Sequence, residues 1–182
     1  LAENPFMLSR LVERALQGKA LTDSRAVLIG ALASDLLDRE LQQERQPESL
    51  TADPLGTLTA AQVALGRLAF AMQAQGEGTS LTRALAGTVQ LADADPPPLT
   101  LDELLDFATD ATVLYTAEGQ GVEAVCAFYH HLLQEYFAAR EMLSLFKRGQ
   151  TLTRHWQVDW EAEKLGNAEL GEGQQLPPPP TT

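Results

Sequence analysis

Between Val122 and Arg148 the hydrophobic period changes once, from two to nearly four, and this switch limits the fold more than any other feature of the chain. Val122, Ala124, Cys126 and Phe128 alternate as one face of a β-strand. From His130 to Arg148 the pattern is helical, with Leu132, Tyr136, Ala139, Leu143 and Phe146 along one side. Lys147 and Arg148 fall in the last turn and Gly149 follows, as the helix dipole and a left-handed cap prefer. His130 stands at the junction. A helix start carries unpaired N–H groups and the positive end of the dipole, so it is a natural place for an anion.

Upstream of the switch, Val113–Thr116 reads as the partner strand of a hairpin, with the turn Ala117–Gly121 between the two. The rest is helical. Asn4-Pro5 predicts a helix start, Met7, Leu8, Leu11, Val12, Ala15 and Leu16 its apolar face, and Gly18 its end. A second helix is predicted from about Asp23 to Glu44, with Leu28, Leu32, Leu36, Leu37 and Leu41 inward and Asp35, Asp38, Arg39 and Glu40 in water. Residues 46–57 read as a connector. Thr59-Ala-Ala-Gln62 predicts a capping box opening a third helix, which buries Val63, Leu65, Leu68, Ala69 and Met72 and ends near Gly76. Leu81–Leu91 reads as a weakly patterned helix. Thr100-Leu-Asp-Glu103 is a second capping box, for a helix through Asp110.

The expected architecture is mainly α: a helical bundle over residues 1–57, then a winged-helix domain with a small β-hairpin over 58–149. Residues 150–182, with His155, Trp156, Trp160 and a run of prolines, read as a linker.

Composition removes several function classes. A net charge of −12 in 182 residues argues against binding a phosphate backbone or an anionic membrane. One cysteine allows no internal disulfide and suits a reducing, cytoplasmic setting; Cys126 reads as a small apolar strand residue. No stretch reads as a membrane span or a leader. Gly18-Lys19-Ala20 lacks the upstream glycine and following hydroxyl of a phosphate-binding loop, so the chain holds no ATPase machinery of its own. His130 and His131 are neighbours, about 100° apart on a helix, and do not converge on a metal. A Cys126–His130 nucleophilic pair lacks a recognisable orienting acid. Gln134, Glu135, Asp102-Glu103 and Glu161-x-Glu163 need no catalytic role.

The spacing Phe128-x-His130-x-x-x-Gln134-Glu135-Tyr136-Phe137-Ala138-Ala139 resembles the winged-helix part of bacterial NACHT proteins, signal-transducing ATPases of the STAND class. Asn4-Pro5-Phe6-Met7-Leu8 with Gly18-Lys-Ala-Leu21 and Arg25-Ala26 is similar to the start of their helical domain, and Asp106–Leu114 to the winged-helix entry. The resemblance covers roughly residues 1–150, and the Trp-containing, Pro-rich remainder suits the lead into a helical-repeat sensor. It implies that ADP, exchanged for ATP with Mg²⁺ in a longer parent, binds between an upstream nucleotide-binding core and this segment. It implies that His130 donates to a β-phosphate oxygen and that Pro5 packs on the adenine side. His131, one position on, is expected to point elsewhere. The segment would then be a regulatory latch, not a catalyst, in a parent able to oligomerise on activation, with antiviral defence as a family-level expectation.

Two other readings compete. A DNA-binding winged helix needs basic residues on its recognition helix, whereas Leu101–Asp110 has four acids and no base. A helical protein–protein adaptor with no nucleotide role remains open, because a latch separated from its core exposes an apolar surface of the same kind.

Overall fold

Local capping sets most helix boundaries in the computed structural model, which describes residues 5–19, 24–43, 46–74, 80–94, 97–117 and 124–150. Pro5 opens α1 (Pro5–Leu16), and Gly18, at φ +68°, closes it: Lys19 N–H donates to the Arg14 carbonyl and Gly18 N–H to that of Ala15. Asn4 lies outside the described residues. Ser24 caps α2 (Arg25–Leu41) by accepting the Val27 N–H. A short α3 (Glu48–Thr51) leads into α4 (Pro54–Ala74). Strand β1 (Ser80–Thr82) runs directly into α5 (Arg83–Ala86). Then follow α6 (Leu101–Asp110), β2 (Leu114–Ala117), β3 (Val125–Phe128) and α7 (His131–Lys147).

The structure is mainly helical, with seven helices and one three-stranded antiparallel sheet among the described residues. The sheet order is β1-β3-β2, with Leu81 opposite Cys126 and Leu114 opposite Phe128. The expected hairpin pairing is present, although its turn and Val122 lie outside the described residues. The Thr100 box is also present: its hydroxyl accepts the Glu103 N–H, and the Glu103 carboxylate accepts the Thr100 N–H at 2.9 Å.

One continuous core runs from Leu28 to Ala138. Its main seam is α4 against α7, with α2 and α6 closing the sides. Gly66 lies on this seam, where an added Cβ would sit 3.4 Å from the Phe137 carbonyl oxygen, at the near limit of ordinary contact. Phe137, Phe107, Leu37, Leu65, Leu68 and Leu104 are almost completely buried. Phe128 packs on Phe137 with ring centroids 5.8 Å apart.

Several expectations need correction. Residues 46–57 are not a plain connector, since they hold α3 and the start of α4, and Val63, expected inside, is 38% exposed. Thr59 does not start a helix: α4 begins at Pro54, and the Thr59 hydroxyl bonds back to the Leu55 carbonyl as a mid-helix residue. The longer α4 therefore has the length and apolarity of a membrane span, but Ala61, Ala64, Leu65, Leu68, Ala69 and Met72 on it are buried in protein. Leu81 lies in a strand, not a helix, because β1 gains its partner from β3 far along the chain. Glu40 does not face water; it is 4% exposed and accepts from Gln46 Nε2 at 2.7 Å. On α7 the buried stripe is Leu133, Gln134, Phe137, Ala138 and Glu141 with Leu132, while Leu143 and Phe146 are exposed. The apolar reading missed this rotation because two members of the buried stripe are polar.

The exit from α6 carries strain. Thr112 sits at φ +58°, where a β-branched residue rarely goes, and its buried hydroxyl has no hydrogen-bond partner. Backbone bonds hold it there, Thr112 N–H to Thr109 and Val113 N–H to Ala108. Thr112→Gly should therefore raise stability by about 1 kcal/mol, the left-handed penalty minus glycine's chain-entropy cost. Urea unfolding tests this through the midpoint at unchanged slope.

Candidate functional site

The site grows from the end of β3. Tyr129 N–H donates to the Val113 carbonyl at 2.9 Å, so the chain stays attached to the sheet as it leaves the strand. His130 is still extended, at φ −141° and ψ 130°, and the helix begins at the next residue. His130 is thus the N-cap of α7, a role usually filled by Ser, Thr, Asp or Asn. Its Nδ1 accepts the Leu132 N–H at 3.2 Å, and its carbonyl accepts the Leu133 and Gln134 N–H groups at 2.9 and 3.3 Å.

That geometry sets the tautomer. A neutral ring accepting at Nδ1 carries its proton on Nε2, so the imidazole is a donor on its far side. The half-buried ring is held below the ordinary imidazole pKa, first by burial and then by the neighbouring His131; Glu135 pulls the other way. Near neutral pH His130 is therefore an uncharged Nε2–H donor. The expected anion site of bare backbone N–H groups is modified, since His130 itself occupies three first-turn amides.

The cap makes stability depend on pH, and the sign follows from the lowered pKa. Between the folded and unfolded values the unfolded chain binds more protons, so stability rises with pH across that window. The contribution is complete above the unfolded value and is lost as pH falls toward the folded one. Protonating Nδ1 also removes the acceptor for Leu132. We expect the urea midpoint to drop as pH falls below the ordinary imidazole value of about 6.5, and to drop less in His130→Asn, whose amide oxygen caps without titrating.

His131 differs from the expectation in one respect. Its exposed ring lies against that of His130, with centroids 4.6 Å apart, because the extended His130 backbone brings together side chains that helical geometry would splay. Among the described residues no group of three or more His, Cys, Asp or Glu is placed to hold a metal. Cys126 is buried, its Sγ donates to the Leu81 carbonyl at 3.4 Å, and burial pushes the thiol up, so it is an unreactive core group. Pro5 stands at the first position of α1, whose ion pairs run from Arg14 and Lys19 to Asp35 on α2; Lys19 Nζ lies 2.7 Å from the carboxylate. The two sequence-predicted site residues thus open two different helices.

The rest of the motif is scaffold. Phe128, Phe137 and Ala138 are core, and a Cβ at Gly30 would fall 2.6 Å from the Tyr136 hydroxyl, so α2 and α7 touch there. Gln134 is 2% exposed, and its Nε2 has no hydrogen-bond partner. Glu141 closes a ring of charges that sequence reasoning missed. Arg148 donates to Glu141 at 2.9 Å and to Asp93 at 3.2 Å, while Arg67 reaches Asp93 at 2.6 Å and lies 3.9 Å from Glu141. The Arg67 hydrogen bond and charge hold the exposed Asp93 carboxyl below its usual range. These groups tie α4, the residues after α5 and the end of α7 together. Only Glu141 and Arg148, seven apart on one helix, left a local trace in the sequence. No family model, characterised protein or solved structure matches this chain.

Proposed function

We propose that residues 5–150 form the helical and winged-helix latch of a NACHT-type signal-transducing ATPase, closing on ADP held by an upstream nucleotide-binding core. One observation carries the reading: His130 caps α7 through Nδ1, which puts a neutral imidazole protonated on Nε2 at the positive end of a 17-residue helix. A group so placed suits a β-phosphate oxygen, and an anion there would form a charge-assisted hydrogen bond with it. The element order α4-β1-α5-α6-β2-β3, with sheet order β1-β3-β2, supports the winged-helix part of the reading.

The exposed face of α1 is consistent with a missing neighbour. Leu8, Val12 and Leu16 are 45, 51 and 85% exposed although they share one side of the helix. In the latch reading this face packs on the upstream core near Pro5, and a sensor follows the segment. Exchange of ADP for ATP and Mg²⁺ removes the His130 contact and favours an open, self-associating parent. The adaptor reading rests on the same α1 face, which would then take a protein partner.

Hydrogen exchange in a parent containing the upstream core separates the two. ADP should slow exchange of the amides in the first turn of α7, which hang on His130. Identical exchange with and without ADP would leave the adaptor reading.

A further inference from the structure

A groove of about 510 Å³ runs beside the first half of α4, lined by Leu55, Ala60, Val63, Leu91, Pro98 and Leu99. Its volume falls within the about 300–1,000 Å³ of clefts that enclose small organic groups. Its lining is mostly apolar, and Leu55 is 76% exposed. Two acids, Asp53 and Asp93, also line it. The chain is led to this place. Gly149, at φ +75°, and Gln150, whose N–H donates to the Leu145 carbonyl, end α7, and Arg148 is pinned to Asp93 at 3.2 Å.

We infer that the segment following Gln150 docks in this groove, with Trp156 as its anchor. The next residues are Thr-Leu-Thr-Arg-His-Trp-Gln-Val-Asp-Trp, with Leu152, Trp156, Val158 and Trp160 as the apolar members. Six residues from Thr151 to Trp156 span up to about 20 Å when extended, enough to cross from the Arg148–Asp93 contact into the groove. Charge agrees with the direction. Arg154 and His155 precede the anchor, and Asp53, whose carboxylate caps the start of α4 by accepting the Gly56 N–H at 3.0 Å, offers them the negative charge that Asp93 already gives to Arg67 and Arg148. An indole buries about 150–250 Å², the largest apolar area one side chain can bring to such a groove. The inference does not depend on the nucleotide reading, because neither His130 nor α1 takes part.

The chain itself supplies the probe. Its two tryptophans are Trp156 and Trp160, both in the segment, so intrinsic emission of the full 182-residue chain reports on them alone. Docking predicts native emission at shorter wavelength than in urea, and Trp156→Phe should abolish most of that shift. Leu55→Glu and Val63→Glu, at positions already open to solvent, should return the emission to the unfolded position with unchanged circular dichroism. Native emission at the unfolded position would overturn the proposal, as would a shift indifferent to Leu55→Glu. A shift lost on dilution would also overturn it, because the groove would then belong to a second copy.

Discussion

Replacing His130 by alanine in a parent that carries the nucleotide-binding core is expected to weaken ADP binding by about 1.5–3 kcal/mol, roughly 10- to 150-fold. The magnitude is that of one hydrogen bond to a charged acceptor. The loss should appear mainly as faster ADP release, with higher basal signalling as the closed state loses its differential contact. His131→Ala serves as the control, because it removes the exposed ring and leaves the Nδ1 cap in place. Stopped-flow release of a fluorescent ADP analogue measures both. Equal retention in the two variants would assign His130 to capping alone. His130→Asn sharpens the comparison by keeping a cap acceptor while moving the donor, so its fold should survive better than its ADP affinity.

Phe137→Ala is expected to be the most destabilising single truncation in the motif, by about 3–5 kcal/mol. The ring is fully buried, meets Phe128 at 5.8 Å and Tyr136 edge-on at 5.3 Å, and sits where Gly66 brings α4 against α7. Its removal opens a cavity at the main seam of the core, which backbone atoms on both sides cannot easily refill. Against a domain stability of about 5–15 kcal/mol, such a loss should lower the urea midpoint severely or abolish cooperative unfolding. Phe146→Ala, nine residues on and 68% exposed, should change stability by less than about 0.5 kcal/mol. A small effect at Phe137 together with a large one at Phe146 would mean that α7 is rotated relative to the packing described above.

The contrast between these two phenylalanines shows which parts of the fold were legible. Some caps were, because their chemistry is local: the Thr100 box and the Gly18 and Gly149 closures each rest on a few adjacent residues, whereas the Thr59 box gave the same local signal and was overridden by the start of α4 at Pro54. The packing face of α7 was not. Gln134 and Glu141 lie on its buried stripe, and Glu141 is tolerated there only because Arg148 and Arg67 come to it, the latter from a helix distant in sequence. Strand β1 was hidden for a related reason. Three residues, with only Leu81 fully inward, give no period to read, and the strand exists through its pairing with Cys126 and its neighbours.

The sequence placed His130 at the strand-to-helix junction, where it is the N-cap of α7, but could not tell what the histidine does to the helix. Only the geometry shows that the ring occupies a backbone amide through Nδ1 and so fixes its own tautomer. The cost of that arrangement is pH sensitivity of the cap, which a serine or aspartate in the same place would lack near neutral pH. A cap chosen for stability alone would not be a histidine.

The most direct test of the central claim is the coding sequence upstream of Leu1. A nucleotide latch requires a Gly-x-x-x-x-Gly-Lys-Ser/Thr loop followed by an acidic Mg²⁺ motif, both within about 200–250 residues, the size of one domain. Finding both would give His130 a phosphate to read. An upstream frame of that length with no phosphate-binding loop would contradict the latch and leave the α1 face to a protein partner.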